Sequence, residues 1–519
     1  MSSFAALDRD EAIDSRVAVH DSDHVEVKLD CHLGGAKNSR YRVETYFFVP
    51  RSLGLNEQTY SRAQFYHDVQ TYLRFKTPVL PMAQLADPSA EGSPLAQIRT
   101  LSGELRRSPR IRSLAAALSY ELRMFGCILR ANLRDQVAAI KVRVRKLPDG
   151  ERARAILVDD IRTIGGRFLD DLDALLTEWR GLRATLLHEP MPRRTRDTYA
   201  MVDEYISQAV ELHLTNLLRA IDRGPQPDEV LEGLRGRARA ALLAERDYRV
   251  GAGYGNDWED GDGEHFVYRR GMLKKLVTSV LWLEIDKEEE GRSMGDLVAG
   301  FAAGVAMLFT VVAALLSRRM WMINSAGFVI AAVVTYMLKD RMKDWIKRAF
   351  HRGFNRWLAD YKVNIRDPMT GALIGKSRES FRYVKEDQVP PEVLALRRRR
   401  SGSPVEIDAK REVILAYDKE IRLESKALRE RMHLEDYDLN DISRIALREL
   451  LIRADDPNQA LAIYDQDDDR VVKRNFHKVY HLNLVMVLGA GRGKDRSESK
   501  RHLRVVFDKK AIRRLEEVS

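Results

Sequence analysis

Four short clusters carry residue types that can do chemistry. His477 and His481 stand four apart. On a helix both imidazoles would share one face and could hold zinc. The surrounding NFHKVYHLNLVMV is strand-like, and four steps along a strand cover about 13 Å, too far for one metal. Asp465, Asp467 and Asp469 alternate as at the start of a calcium loop, but Arg470 and Phe476 stand where that loop needs Gly and Glu. A polar turn between strands is expected there. Gly489-Ala490-Gly491-Arg492-Gly493-Lys494 superficially suggests a phosphate loop. Leu488 and Asp495 occupy the places that require Gly and Ser or Thr, so a hairpin loop is expected. Gly251-Ala252-Gly253-Tyr254-Gly255 lacks the preceding strand of a dinucleotide fingerprint. Cys31 and His32 are adjacent and point to opposite faces of a strand. HExxH, GxSxG and kinase signatures are missing. The sequence therefore nominates no catalytic residue, no metal ligand and no cofactor.

The elements that must position these groups follow from hydropathy. Leu297 to Leu316 is apolar without a charge. At about 1.5 Å per residue, roughly 20 residues span about 30 Å, the hydrocarbon depth of a bilayer. Arg318 and Arg319 would each cost about 2.5–3.5 kcal/mol at mid-membrane, so they mark a turn. A second apolar run ends at Leu338. It begins at Met320 or, if Asn324 and Ser325 belong to the turn, only at Ala326. The expectation is a two-helix transmembrane hairpin over residues 296–338. Gly300 and Gly304 have the spacing that lets membrane helices approach closely, within the hairpin or between subunits. After Leu338, the cations Lys339, Arg341, Lys343, Lys347, Arg348 and Arg352 alternate with Trp345, Phe350 and Trp357. This reads as a basic amphipathic juxtamembrane helix over 339–359 that contacts the membrane surface. The other reading is a cytoplasmic continuation of the second span. Positive charge stays inside, so both termini are expected in the cytoplasm.

Composition agrees with this placement. The 519 residues suffice for two or three domains. Lys and Arg number 87 against 77 Asp and Glu, a net charge of +10, which suits an anionic membrane surface or nucleic acid. The basic runs Arg397–Arg400 and Arg492–Lys494 lack interleaved aromatics, so nucleic acid is disfavoured and the lipid bilayer is the expected partner. Cys31 and Cys127 alone cannot build a disulfide framework, and they suit a reducing cytoplasm. MSSFAALDRDEAID has neither a basic n-region nor an apolar h-region, so no cleaved signal is expected. A multi-pass protein of a bacterial inner membrane fits these features.

The fold expected is mixed α and β, mostly α. Residues 1–23 read as a flexible N-terminus. His24–Cys31 and Tyr41–Val49 read as a β-hairpin within 24–50, closed by Gly34–Asn38. Residues 58–249 read as an antiparallel helical bundle, starting with a short aromatic helix at Tyr60–Phe75. Apolar positions from Ile111 to Leu147, Leu157 to Leu186 and Tyr199 to Ile221 recur about every 3.6 residues, with short connections. A further helix starts near Pro227-Asp228-Glu229. Residues 250–265 read as a Gly/Asp-rich linker and 266–290 as a helix leading into the membrane. Residues 360–519 read as an α+β cytoplasmic domain. Its strands are expected near 361–366, 380–384, 413–417, 460–464, 471–474, 479–488 and 502–507, with a helix at 441–454. The N-terminal hairpin is a candidate addition to its sheet.

The leading functional expectation is a non-enzymatic, membrane-anchored cytoplasmic scaffold or signal relay with a protein partner or a second copy. One alternative is an oligomeric two-span channel or membrane effector. Another is an enzyme whose site gathers His477, His481 or the Asp465–Asp469 turn.

Overall fold

Inward and outward residues alternate along most of the strands and build two antiparallel sheets. The computed structural model describes residues 13–32, 38–87, 93–148, 150–224, 229–254, 263–320, 326–354, 359–398, 412–424, 438–466, 469–490 and 497–518. The chain opens with β1 (Ile13–Val19), β2 (His24–His32), β3 (Asn38–Pro50), α1 (Arg62–Asp68) and β4 (Val69–Phe75). The helical part comprises α2 (Met82–Ala86), α3 (Pro94–Arg107), α4 (Arg112–Arg145), α5 (Glu151–Gly181) and α6 (Arg183–Leu186). It continues through α7 (Arg193–Asp222), α8 (Glu229–Gly251) and α9 (Gly263–Thr278). Next come β5 (Glu284–Glu289), α10 (Glu290–Met320), α11 (Ala326–Phe354), β6 (Tyr361–Arg366), β7 (Leu373–Val384) and α12 (Pro391–Arg398). The last part holds β8 (Glu412–Glu424), β9 (Asp438–Ala446), α13 (Arg448–Ile452), β10 (Asn458–Asp465) and β11 (Arg470–His477). It ends with β12 (Tyr480–Ala490), β13 (Ser497–Phe507) and β14 (Ile512–Glu517).

One sheet has the order β1-β2-β9-β4 and the other β14-β13-β12-β3-β8-β7-β6-β5, while β10 and β11 form a separate ribbon. The two larger sheets share one core. Tyr41, Val43, Phe47 and Val49 of β3 face it, together with Val25, Val27 and Leu29 of β2 and Leu73 and Phe75 of β4. The opposite face of β3 is also covered: Tyr46 and Phe48 pack with Val389 and with Val393 of α12. Burial on both faces explains the unbroken apolar run Tyr46–Val49. The sheets are stitched along two seams. Leu283 N–H donates to Leu73 O at 2.9 Å, and Ile512 N–H donates to Ser22 O at 2.7 Å.

Two insertions leave this β-body. The helices α2 to α9 lie between β4 and β5, and the hairpin α10–α11 lies between β5 and β6. β5 and β6 are partners, with Glu289 opposite Tyr361, so both hairpin helices start from one ribbon. In the bundle, Phe125 stacks on Trp179 and Trp179 on Tyr199, with ring centroids 4.5 and 4.9 Å apart.

Several boundaries differ from the sequence expectation. Residues 13–19, expected to be loose, form β1. β2 and β3 are not hairpin partners: β2 pairs with β1 and β9, and β3 with β8 and β12. The Gly34–Lys37 turn lies outside the described residues. The helix expected at Tyr60–Phe75 ends at Asp68, because Val69, Thr71, Leu73 and Phe75 alternate inward as a strand. The helix expected over 266–290 stops at Thr278, and Glu284–Glu289 is a strand. Asp441 to Ala446 is strand rather than helix, since β9 is sandwiched between β2 and β4. The expected linker is anchored at its start: the Tyr254 hydroxyl donates to the buried Asp203 carboxylate at 2.7 Å. Residues 360–519 do not form a domain of their own, because β1–β5 complete their sheets.

Candidate functional site: an uncovered apolar hairpin

α10 has 31 residues and α11 has 29. They pack against each other and are separated by only five residues. Five residues reach at most about 18 Å, so the helices must run antiparallel. Val298, Ala302 and Ala306 form the buried seam of α10. The rest of the helix stays uncovered: Leu297, Phe301, Leu308 and Leu315 are each more than 60% exposed. On α11, Ile330, Val333, Val334 and Met337 are exposed likewise. Monomeric soluble proteins rarely leave contiguous apolar surface of this kind bare.

Of the described helices, one is long and apolar enough to cross a membrane, over Leu297–Leu316. The apolar part of α11, Ala326–Leu338, rises only about 20 Å at 1.5 Å per residue. Counting equal rises back from the connection sets Leu308 beside about residue 338. The lower half of α10 therefore runs beside the basic half of α11, and only the distal half of the hairpin is apolar on both helices.

The sequence-nominated site residues divide sharply. Gly300 and Gly304 do not pack the hairpin: a Cβ built at either meets nothing within 4 Å. The small residues that let α11 approach are Ala302 and Ala306. Lys339, Arg341, Lys343, Trp345 and Arg348 continue α11 without a break. A separate helix lying flat over 339–359 is thereby corrected, since no Gly or Pro interrupts Leu338–Arg348. Arg341, Trp345 and Arg348 are exposed and Lys339 and Lys343 half-buried; Lys339 Nζ lies 4.3 Å from the Tyr336 ring centroid. The side chains of Lys347, Phe350 and Arg352, and all of Trp357, lie outside the described residues.

The base of the hairpin is held by polar contacts. Asp360, just before β6, accepts from the Tyr66 hydroxyl at 3.0 Å, from the Phe381 amide at 2.7 Å and from Arg62 at 2.5 Å. Burial and the Asp360 carboxylate push the Tyr66 hydroxyl well above its ordinary pKa. Deeper in, Lys287 of β5 lies 3.4 Å from the buried Glu379 of β7. Glu379 faces Lys419 across β7 and β8, and Lys419 Nζ lies 2.7 Å from Asp441 Oδ1. This line of compensated charges runs from the hairpin base to the opposite sheet. Sequence reasoning missed it, because its members pair only through strand register.

The remaining candidates do not assemble. Burial and the Asp441 carboxylate push the Cys31 thiol well up, which makes it a poor nucleophile. Asn458 stands opposite His477 and Asp465 opposite Arg470. The aspartate turn and His477 thus sit at opposite ends of one ribbon, about 24 Å apart. Asp467 and the Gly491–Lys494 loop lie outside the described residues; the strands flanking that loop are antiparallel partners, with Ala490 opposite Ser497. Among the described residues, one carboxylate–imidazole cluster has metal-like spacing: Asp21, Asp23 and His24. Asp21 there accepts the Asp23 and His24 amides at 3.1 and 2.8 Å, the geometry of a turn. Compared with known proteins, the chain matches no family model, no curated protein and no solved structure.

Proposed function

We propose that this chain is a membrane-anchored scaffold or signal relay of a bacterial inner membrane. The hairpin enters the bilayer, and the β-body and bundle stay on the cytoplasmic side. The observation that carries this reading is the uncovered apolar surface of α10 and α11, rooted on the paired strands β5 and β6. Lys339, Arg341 and Lys343 then meet the anionic headgroups, and Trp345 sits at their level. A relay follows from the root. A tilt of either helix pulls on β5 or β6, and both strands connect through side-chain contacts to the core.

The test is flotation with liposomes of phosphatidylglycerol and phosphatidylethanolamine. The full chain is expected to float, and to resist a high-salt wash. A variant with Phe301→Glu, Leu308→Glu and Leu315→Glu is expected to stay at the bottom while keeping its circular dichroism. Flotation of that variant at wild-type level would sink the reading.

The protein partner in this reading is a second copy of the chain. Gly300 and Gly304 present open space on the outward side of α10, where a second helix backbone could approach closely. Gly300→Leu with Gly304→Leu is then expected to lower the mass measured in detergent by light scattering; an unchanged mass removes this contact.

A further inference from the structure

Cations gather where β4 meets the helical insertion. β4 turns Leu73 and Phe75 inward, so Arg74 lies on the outer face. Its guanidinium stands 5.7 Å from the centroid of the Trp282 ring, and Arg74 and Trp282 form a β-bridge. Trp282 closes the segment after α9. That segment is tied to α4: Arg123 donates to Ser279 Oγ at 3.1 Å, and Cys127 Sγ donates to Val277 O at 3.4 Å. Arg123, Cys127, Arg130 and Arg134 follow one another by four, three and four residues, so they share one face of α4. Arg270 and Lys274 stand one turn apart on α9.

Asp30, two strands from Arg74 in register through Asn440, offers it a carboxylate at longer range than an ion pair. Among the described residues, Arg74, Arg130, Arg270 and Lys274 make no ion pair. Arg130 donates to the Tyr205 hydroxyl at 2.9 Å, a neutral partner, and Arg74 has the Phe75 carbonyl. Arg134 alone is matched, by Asp135 next to it. The groups feel one another. Burial, then Arg130, Arg270 and Arg74, hold the Lys274 amine below its ordinary pKa. Burial, then Arg130, Arg134, Arg270 and Lys141, bring His213 down to about 4. The buried Nε2 of His213 has no hydrogen-bond partner among the described residues.

We propose that this junction binds a phosphoryl-bearing anion, gripped by Arg74, Arg130, Arg270 and Lys274. Partly exposed guanidinium groups and an amine that β4, α4 and α9 bring to one junction suit phosphate oxygens, which take several charge-assisted hydrogen bonds at once. An anion there offsets the mutual repulsion of these cations. The source is a soluble phosphate compound or a phospholipid headgroup, and one experiment separates them.

Full-length protein in detergent is titrated with pyrophosphate by calorimetry. In parallel, nanodiscs of phosphatidic acid are compared with nanodiscs of phosphatidylcholine. Pyrophosphate is expected to bind, with affinity about tenfold weaker in Lys274→Met or Arg130→Gln, a loss of about 1.4 kcal/mol. Binding confined to phosphatidic acid and weakened by the same substitutions upholds the site with a lipid headgroup as its ligand. Lys274→Met is also expected to raise the Tm of the anion-free protein, because it removes a repelling charge. A cation kept for structure alone would lower it. No binding in either arm, or binding unchanged in both variants, overturns the proposal.

Discussion

The Tyr66 hydroxyl donates to Asp360 Oδ2 over 3.0 Å, and this contact ties the base of the hairpin to α1. Asp360 also takes the Phe381 amide, so it fixes β6 against β7 just before β6 begins. Asp360→Ala leaves the Phe381 amide without its acceptor, at a cost of about 1–3 kcal/mol. Tyr66→Phe removes one donor and is expected to cost about 0.5–1.5 kcal/mol. Hydrogen exchange is expected to quicken along β5 and β6 in Asp360→Ala and to leave α4 and α7 unchanged. Uniform acceleration across the chain would show that Asp360 serves global stability rather than the hairpin root.

Lys419 and Asp441 form an enclosed ion pair that crosses between the two sheets, with side chains 3% and 1% exposed. Removing one partner strands the other charge in the core. Asp441→Asn or Lys419→Met alone is expected to destabilise by about 3–5 kcal/mol. The double variant Lys419→Met with Asp441→Leu is expected to recover most of that loss, since a packed apolar pair avoids the desolvation cost. Urea unfolding of the three variants gives the coupling. Single variants that cost less than the double would refute the assignment.

The bundle was legible because its helices are long. Ile111 to Leu147 repeats its apolar step enough times for the period to stand out. The strands were legible as strands, but their partners were not. Arg42 meets Asp418 at 2.6 Å across 376 positions of chain, and no local pattern announces such a pairing. β4 was misread because Tyr60, Phe65 and Tyr66 set up a helical rhythm that the strand then breaks. β9 was misread because Leu439, Ile442 and Ile445 are spaced by three, which a helix also produces. β9 buries residues on both faces, so strict alternation is lost there. The charges along Lys287, Glu379, Lys419 and Asp441 were invisible because they lie far apart in sequence and meet only through the pairing of strands and sheets. The apolar run of α10 was legible, but the side of it that stays exposed was not, because such a run reads the same with or without neighbours.

Half-buried Glu121 and buried His213 in the bundle give opposite pH slopes. Burial raises the Glu121 carboxyl to about 7. The folded protein therefore holds a proton that the unfolded chain releases above about 4.3, and stability falls as pH rises from that value to about 7. His213, brought down to about 4 by burial and the surrounding cations, behaves the other way. The unfolded chain takes up a proton below about 6.5 that the folded protein refuses, so stability falls as pH drops from 6.5 towards 4. The two slopes oppose each other across most of that window. Glu121→Gln is expected to steepen the loss on the acid side, and His213→Asn to steepen the loss on the neutral side. Chemical denaturation between pH 4.5 and 7.5 checks this; parallel profiles for the two variants would contradict it.

The depth to which the hairpin would enter a bilayer decides what the proposed anchor can do. If it crosses the bilayer, the residues between α10 and α11 emerge on the far side with Arg318 and Arg319 at the interface. About 20 Å of doubly apolar hairpin is shorter than a bilayer core of about 30 Å. Crossing therefore requires the bilayer to thin locally, or Lys339 and Arg341 to reach outward along their aliphatic stems. Both native cysteines are buried, so a cysteine introduced at Ser325 becomes the thiol open to a bulky reagent. In spheroplasts, an impermeant maleimide is expected to label Ser325→Cys from outside. A cysteine at Lys473, on the exposed ribbon of β10 and β11, is expected to react only after lysis. Labelling of Ser325→Cys only after lysis would mean that the hairpin enters one leaflet and turns back. The anchor would then stand, but the two-span topology and any channel built on it would not.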